Sequence, residues 1–468
     1  MFGVQGIALF GLVALFAVLA WRHSRRLPLP PASTSSGDSH IQPWRAYAEH
    51  SKTLGPLLTV SSLGRQVLVI NTVEAVTELL DKRKNFACRP RWPMADLLGR
   101  QKNVGFQYYG ERLKQSRKVL HSSLNANVIR TTWNGILGEY SSKLMLRFLE
   151  SPETFYEDVH RCIDLLIVRF AYGREPDAEH LQLAKSAMQD TNEALQPGRW
   201  LVDTIPALAY VPSWFPGASY MRWARSAREK YQMLTQTPFL RVKCDLQFNG
   251  DAPLSFARHA LETSAGTAED EDVIMSAAGS LYSGMCTTSK NSAVLNAILL
   301  LTLHPEVQSR AYAELLAAVG SDRLPETQDM NYLPYMNCVI QECHRFSPAV
   351  PLVTHSNIDE DSYLGYRIPK KTWIMANVWA MLHNEKEYGH PSDFNPDRFA
   401  PEKGKPVPRD PRTVLYGFGR RVCPGLHFAN HFIFLVISRL IACFELHPQE
   451  LEGKTMRPPL QYTTALIS

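Results

Sequence analysis

The sequence has no cysteines at the spacing of a common metal or redox motif. Its eight cysteines are scattered from position 88 to position 443, and no two of them form a Cys-x-x-Cys pair. This pattern excludes the usual zinc sites. In a chain of 468 residues it indicates reduced, mostly buried thiols in a body that faces the cytosol.

The sequence also has little excess charge of either sign. The formal net charge is +5, and Arg22, Arg25 and Arg26 supply three of those charges, because residues 1–26 contain no Asp, Glu or Lys. The rest of the chain is close to neutral, so we predict no nucleic-acid partner. With no internal repeat and 45% hydrophobic residues, the composition is that of a large globular body.

One long uncharged hydrophobic run stands at the start of the chain. Val4–Trp21 contains 18 residues without a charge, and a helix over them spans about 27 Å, close to the thickness of a bilayer core. The basic RHSRR after it favours a cytosolic C-terminal side, whereas a cleaved signal peptide would have a basic region before the run. We predict a single transmembrane helix over 4–21, a basic, Pro- and Ser-rich linker over 22–40, and one large domain over 41–468.

The body reads as mainly helical with small sheets. Short strands are predicted at Val67–Ile70 and Thr372–Met381, and Asn71 offers an N-cap for a helix over Val73–Lys82, because Glu74 stands three residues on. Further helical patterns cover Gly110–Asn125, Glu269–Leu303, Pro305–Val319, Met336–Phe346 and Leu426–Phe444.

The segment Gly198–Arg225 differs from its surroundings. Its prolines break long helices, and its Trp and Phe side chains are suited to an interface. A buried connector between helices is an equal alternative.

The stretch Tyr416–Gly425 (YGFGRRVCPG) carries the strongest chemical signal. As a dinucleotide-binding loop it fails, because Val422 occupies the third glycine position and Pro424 stands where a helix should already run. As a metal-binding loop it is better suited. Its glycines allow a tight turn that directs N–H groups at the sulfur of Cys423, and the helix that follows favours negative charge there.

A single cysteine without a second ligand nearby cannot form a zinc or iron–sulfur site. It can be the one protein ligand of haem, whose porphyrin supplies four further donors. Haem also carries two propionates that need cations, and Arg421 offers a bidentate fork.

Here the sequence resembles the cytochrome P450 family, whose cysteine loop reads Phe-x-x-Gly-x-Arg-x-Cys-x-Gly. Gly419, Arg421, Cys423 and Gly425 match, and Tyr416 replaces the Phe. The resemblance implies the cytochrome P450 fold, mainly α with small β-sheets. It also implies haem b (iron protoporphyrin IX) with Cys423 as axial ligand.

Other matches follow in family order. ECHR (Glu342–Arg345) and the FNPDRF segment with Arg398 resemble the triad that locks the cysteine loop in the family. Arg117 stands at a propionate-binding position, although Leu113 replaces the usual Trp, and His355 resembles another propionate partner.

The central helix departs from the family pattern. The family carries an acid and an alcohol there that help deliver protons to dioxygen. In SGMCTT (283–288) Cys286 replaces the acid, and Thr287 is our candidate distal hydroxyl. A slip of two residues would place Thr288 at the acid position and Ser289 at the alcohol position, so neither register has a carboxylate.

The resemblance implies a haem-thiolate monooxygenase that oxidises a lipophilic small molecule with O2 and electrons from NADPH. The implied partner is NADPH–cytochrome P450 reductase, at the endoplasmic reticulum membrane with the domain in the cytosol. VDTIPALAYVPSWFPGA (202–218) resembles fungal membrane-bound members, which favours secondary metabolism.

The expected pocket lining is Pro93–Phe106, Leu281–Thr288 and Ala349–Val353. The expected proximal cations are Lys114, Lys118, Arg412 and Arg420.

Two alternatives stay open. Without the acid, the enzyme could work independently of O2 as an isomerase or dehydratase that rearranges an already oxidised substrate. The sequence also stops at YTTALIS, earlier than family members usually do, which suggests a catalytically silent, truncated paralogue.

Overall fold

The computed structural model describes residues 27–33, 42–62, 65–285, 289–451 and 454–459, with backbone alone at 62, 283–285, 289–291, 451 and 454. The predicted transmembrane helix over 4–21 lies outside these ranges, and so do Cys286, Thr287 and Thr288.

The described chain is helix-dominated, as the sequence predicted. From the N-terminus the elements are α1 (Pro43–Leu54), β1 (Leu57–Ser62), β2 (Arg65–Ile70), α2 (Val73–Val76), α3 (Pro93–Leu97), α4 (Glu111–Leu124), α5 (Ala126–Val128), α6 (Asn134–Glu150), α7 (Phe155–Tyr172), α8 (Ala178–Ala194), α9 (Leu201–Thr204), α10 (Ser219–Phe248), α11 (Phe256–Glu262) and α12 (Ala268–Met285). They continue with α13 (Ser289–Leu303), α14 (Pro305–Ala318), α15 (Pro334–Phe346), β3 (Leu352–Ser356), β4 (Asp361–Tyr363), β5 (Tyr366–Ile368), β6 (Trp373–Asn377), α16 (Val378–Leu382), α17 (Glu385–Tyr388), α18 (Arg412–Leu415), α19 (Leu426–Cys443), β7 (Gln449–Leu451) and β8 (Lys454–Met456).

The largest sheet among the described residues has four strands in the order β1-β2-β6-β3. β1 and β3 run antiparallel to their neighbours, whereas β2 and β6 are parallel, with Val67 opposite Trp373 and Ile70 opposite Ala376. The β2 side chains from Val67 to Ile70 are all buried, which explains the continuous apolar run in the sequence. β4–β5 and β7–β8 form two-stranded hairpins.

Two local predictions were wrong, and both errors involve asparagines. Thr72, not Asn71, caps α2, because its hydroxyl accepts from the N–H of Ala75, and Thr77–Lys82 continues as a π-helix. Asn71 instead accepts a 2.8 Å hydrogen bond from Asn377. The predicted strand Thr372–Met381 ends at Asn377, because the amide oxygen of Asn377 caps α16 by accepting from Ala380 N–H at 3.1 Å.

The core is formed where α19 packs on α6 and where α7 packs on α6 and α12. Phe170 of α7 contacts Phe428 of α19, with ring centroids 4.8 Å apart. Among the described helices α19 alone is long and apolar enough to cross a membrane, but most of it is buried in the protein. Its hydrophobicity therefore belongs to the core.

The segment Gly198–Arg225 has features of both alternatives. Trp200 stacks on Trp223 with centroids 4.6 Å apart, and Val202 is buried in a small separate cluster. Tyr210 and Trp214 are 84% and 78% exposed. The segment is thus a connector on one side and an open aromatic surface on the other.

Candidate functional site

Cys423 lies in a tight loop between α18 and α19. Its N–H donates to the carbonyl of Tyr416 at 2.8 Å, and α19 begins three residues later with Gly425 at its N-cap. None of the described cysteines, Cys423 included, forms a disulfide. The helix N-terminus behind the sulfur favours the thiolate form that binds metal.

Two glycines in this loop have left-handed backbones, with φ of +79° at Gly417 and +50° at Gly419. A Cβ at Gly419 would lie 2.3 Å from the carbonyl oxygen of Leu80, and the Gly419 N–H donates to Asp81 Oδ1 at 2.5 Å. The loop therefore rests directly on the π-helical turn Thr77–Lys82, and a side chain at Gly419 would force the two apart.

The Tyr that replaces the expected Phe has its own partner. The Tyr416 hydroxyl donates to Asn430 Oδ1 of α19 at 2.6 Å, and burial raises the pKa of Tyr416, so the hydroxyl stays protonated. The sequence showed that Tyr416 replaces the Phe but did not reveal Asn430 as its hydrogen-bond partner.

Arg421 is buried, with 7% of its surface exposed. Its guanidinium donates to the carbonyls of Ala87 at 2.6 Å, Gln107 at 2.5 Å and Val104 at 3.4 Å. Burial and the nearby Arg89 lower the pKa of Arg421 to about 9. Arg421 thus joins the cysteine loop to the segment 87–107, a contact that the sequence did not predict.

Arg117 lies on the other side of the cysteine loop. Its Nη2 donates to the carbonyl of Val422 at 2.8 Å. Burial lowers the pKa of Arg117, and the sulfur of Cys423 opposes that shift. A cation therefore lies close to the proposed ligand atom.

Arg89, which the sequence analysis missed, lies near both Arg117 and Arg421. Its guanidinium donates to the carbonyls of Gly105, at 3.0 Å, and of Thr354. Burial and Arg117 lower the pKa of Arg89 to about 10. Nothing in the sequence next to Arg89 indicates this environment, because its contacts come from distant segments.

His355 of β3 is fully buried. Its Nδ1 lies 2.9 Å from the carbonyl of Phe86, and its Nε2 is buried without a hydrogen-bond partner. Burial, Arg89 and Arg421 lower the pKa of His355 to about 3. We call Arg89, Arg117, Arg421 and His355 the cation cluster.

Within the described residues, none of the three arginines of the cation cluster forms an ion pair with a carboxylate. Charges of one sign in a low-dielectric site repel one another, so an anion that entered would be strongly stabilised. In the neutral ring, His355 Nδ1 donates to the carbonyl of Phe86, so its Nε2 can donate to such an anion only when the ring takes up a second proton.

A second group of arginines does have its counter-charge. Arg345 Nε and Arg398 Nε lie 2.8 and 3.0 Å from Glu342 Oε2, and the side chains of Glu342 and Arg345 are fully buried. The Asn395 N–H donates to the other oxygen of Glu342 at 2.9 Å. The structure thus brings the three predicted triad residues into direct contact.

The triad joins α15 to the segment 382–398. Arg345 donates to the carbonyls of Leu382 at 3.2 Å and Pro391 at 2.9 Å, and both arginines donate to the carbonyl of Asp393. Next to Arg345 in sequence, His344 contacts the ring of Tyr416 edge-on at 6.5 Å. Through this contact α15 reaches the cysteine loop.

The residues present suit a haem-thiolate cofactor. Cys423 offers one sulfur ligand, and the cation cluster offers a carboxylate-free positive site with an unsatisfied nitrogen for the propionates. Cys423, Arg421, Gly419 and Tyr416 belong to one loop, and Arg117 contacts that loop.

The distal side of the expected site is only partly described, because Cys286 and Thr287 lie outside the described residues. N-terminal to them, Ser280 of α12 accepts a 2.9 Å hydrogen bond from the N–H of Val104. The expected lining segment Pro93–Phe106 therefore contacts α12 directly before the expected lining segment Leu281–Thr288.

Two of the four expected proximal cations are in local ion pairs. Lys114 lies 2.8 Å from Glu111, and Arg412 lies 2.5 Å from Asp410. Lys118 and Arg420 are exposed, so they are the better candidates for contact with an acidic partner.

Comparison with known proteins agrees with this site. The profile of the cytochrome P450 family matches residues 34–467. Cytochrome P450 monooxygenase 208 of Postia placenta is 31% identical over 99% of this chain and 92% of its own length. Cytochrome P450 monooxygenase ppsD of Aspergillus oryzae is 31% identical over 91% of this chain and 82% of its own length.

A solved structure of a zebra fish cytochrome P450 with progesterone is 25% identical. It superposes with a TM-score of 0.72 over 90% of this chain and 96% of its own. The fold, the cysteine loop and these relatives agree that the chain belongs to the cytochrome P450 family and is a monooxygenase of the haem-thiolate type.

Proposed function

We propose that this protein inserts one oxygen atom from O2 into a lipophilic small molecule of secondary metabolism, using haem b held by Cys423 and electrons from NADPH–cytochrome P450 reductase. The observation that carries the proposal is the pairing of the Cys423 loop with a cation cluster that has no carboxylate among the described residues. Haem with a thiolate ligand supplies the chemistry that activates O2.

In this proposal each residue near the sulfur has a separate task. Cys423 binds the iron as a thiolate, which the N-terminus of α19 and the nearby Arg117 favour. Gly419 and Gly425 let the backbone turn, and Tyr416 packs beside the loop with its hydroxyl on Asn430. The Glu342–Arg345–Arg398 triad holds α15 and the segment before the loop in place.

The cation cluster binds the propionates. Arg117, Arg421 and His355 are the predicted partners, and Arg89 is added by its position. Three backbone carbonyls accept from the Arg421 guanidinium in this structure, so Arg421 contributes mainly its charge. A propionate beside these groups would lift the pKa of His355 from its low value, because an anion stabilises the imidazolium.

We propose that the enzyme is a single-pass protein of the endoplasmic reticulum membrane, with the anchor at 4–21 and the domain 41–468 in the cytosol. The exposed aromatic side chains around Tyr210 and Trp214 support contact with a bilayer. A lipophilic substrate could then enter from the membrane. Progesterone in the zebra fish relative is consistent with a ligand of that polarity.

The distal proton supply is the least ordinary part of the proposal. Thr287, with water, is the proposed proton donor, because the thiol of Cys286 is a much weaker acid than the missing carboxyl group. If the site cannot supply protons, an O2-independent isomerase or dehydratase is the second candidate, which the absence of a carboxylate in SGMCTT favours.

Turnover with labelled oxygen distinguishes these functions. The purified protein with its reductase and NADPH should convert a lipophilic substrate to a product that carries one 18O atom from 18O2. Conversion of the substrate under strict anaerobiosis, to a product without added oxygen, would instead establish the O2-independent reaction. A Cys286→Asp variant should raise the yield of product per NADPH, and an unchanged yield would contradict a proton-supply defect.

A further inference from the structure

A second cavity lies away from the cysteine loop, between the end of α7, the start of α8 and the middle of α10. Its volume is about 220 Å³, and neither Cys423 nor any member of the cation cluster lines it. Its deep apolar wall includes Val168 and Val242, each 3% exposed. We call it the Tyr172 cavity.

Two polar atoms in the lining of this cavity lack partners. The hydroxyl of Tyr172 is buried without a hydrogen bond, and the residue is 4% exposed. Nε2 of His180 is also buried without a hydrogen bond. A buried polar atom without a partner destabilises a protein by about 1–3 kcal/mol, so two beside one cavity indicate that something else binds there.

Both polar groups are uncharged near neutral pH. Burial raises the pKa of Tyr172, so it keeps its proton and can donate. Burial lowers the pKa of His180, which leaves a neutral ring whose Nε2 can accept in one tautomer. A ligand for these two groups must therefore both accept and donate a hydrogen bond, as a hydroxyl group does.

Of the five charged residues in the cavity lining, Glu179 and Arg241 are exposed at its rim and the other three are engaged elsewhere. Arg174 lies 3.0 Å from Asp245, and Glu175 lies 3.0 Å from Lys143. Asp177 caps α8 by accepting from the His180 N–H at 2.8 Å. The buried end of the cavity thus offers hydrogen bonds without charge, which favours a neutral ligand.

Size limits the ligand further. An engineered apolar cavity of about 150 Å³ is large enough to bind benzene, so a cavity of about 220 Å³ suits a molecule with one ring. We propose that the Tyr172 cavity binds a small neutral alcohol or phenol, whose oxygen accepts from Tyr172 and whose hydroxyl donates to His180.

The position of the site relates it to the rest of the fold. The ring of His180 contacts the ring of Tyr282 edge-on, with centroids 5.7 Å apart. Tyr282 is on α12, directly before the segment 283–288 that departs from the family pattern. The second site is therefore lined by neither Cys423 nor the cation cluster, but it contacts the helix that is expected to line the haem pocket.

Calorimetric titration with p-cresol tests the proposal. The haem-loaded protein is first saturated with an azole that ligates the iron, so that the substrate pocket is blocked, and no NADPH is added. The azole-blocked protein should still bind p-cresol. Tyr172→Phe and His180→Phe should each weaken binding by about two- to tenfold, the usual effect of one hydrogen bond. Tyr210→Phe, a matched change on an exposed tyrosine, should leave binding unchanged.

Thermal unfolding of the ligand-free proteins separates a binding role from a structural one. Because the Tyr172 hydroxyl has no partner, Tyr172→Phe should have a Tm no lower than that of the wild type. A lower Tm would show a structural partner and overturn the proposal. So would no p-cresol binding, equal affinity in all variants, or a crystal soaked in p-cresol that shows only water in the cavity.

Discussion

Arg345 and Arg398 lie beside a buried carboxylate, whereas Arg89, Arg117 and Arg421 lie beside one another and His355 with no carboxylate among the described residues. Both groups lie within hydrogen-bond reach of backbone carbonyls from distant segments. The two groups differ in their counter-charge. The arginines of the triad have a carboxylate partner within the folded chain, whereas the cation cluster needs an anion from outside the chain.

This difference separates a structural role from a binding role. Removing a residue from the triad should strongly lower the stability of the protein, since it leaves uncompensated buried charge. Removing a cation from the cluster should lower cofactor affinity more than it lowers stability.

The largest expected effect is that of Glu342→Gln. It leaves Arg345 and Arg398 buried without their carboxylate, which should lower the free energy of unfolding by about 3–5 kcal/mol. Denaturant unfolding measures this free energy. The control, Glu111→Gln, breaks an exposed pair with Lys114 and should change the free energy of unfolding by less than about 1 kcal/mol. Equal effects of the two variants would contradict the assigned role.

Next comes Arg117→Gln in the cation cluster. Loss of a charge-assisted hydrogen bond is worth about 1.5–3 kcal/mol, so haem affinity should fall roughly ten- to a hundredfold. Haem transfer to apomyoglobin measures this. The stability of the haem-free protein, measured by its unfolding midpoint, should fall by a smaller free energy than the haem affinity does. Lys118→Gln, an exposed cation on the same helix, is the control, and equal haem loss from both variants would count against the cluster.

A smaller effect is expected in the pH dependence of stability. Because the folded pKa of His355 is about 3, the unfolded state binds its proton first, and stability is lost as pH falls from about 6.5 towards 3. His355→Gln should reduce this slope in haem-free protein by up to about 1.4 kcal/mol per pH unit. His344 and His383 have pKa values of about 4 and 3. They contribute equally to the pH dependence of stability in the wild type and in His355→Gln.

Haem should reduce the difference in slope between the wild type and His355→Gln, because a propionate beside His355 raises the pKa of the imidazole. If the wild type and His355→Gln have the same slope of stability against pH without haem, His355 is not held neutral by the folded protein. If haem leaves the difference unchanged, no anion reaches His355.

The smallest effect concerns Arg420, which is exposed and outside both groups. Arg420→Gln should slow reduction by the flavin reductase about two- to threefold at low salt, and the difference should vanish at high salt. Stopped-flow reduction under carbon monoxide measures it. A rate independent of ionic strength would exclude electrostatic steering at this face.

The sequence predicted the elements whose signals are local. Val67–Ile70 is a strand because four apolar residues are buried there in succession, and the apolar period of α19 located that helix to within one residue. Glu342 and Arg345 are three apart on one helix, and the resemblance to the family pointed to their contact with each other and with Arg398. Cys423 was indicated by the turn residues around it.

What could not be predicted depends on distant contacts. Arg89 gains its role only because β3 and residue 105 lie beside it. Asn430 pairs with Tyr416 across fourteen residues, and Asn71 lost the capping role to its neighbour because Asn377 binds its side chain. None of these pairs leaves a local pattern in the sequence.

The most direct test of the account is the carbon monoxide spectrum of reduced Cys423→Ser protein beside that of the wild type. The wild type should bind haem and give the Soret shift of a thiolate-ligated iron, and the variant should lose that shift even where some haem remains. A variant with the wild-type spectrum and iron content would show that Cys423 is not the ligand.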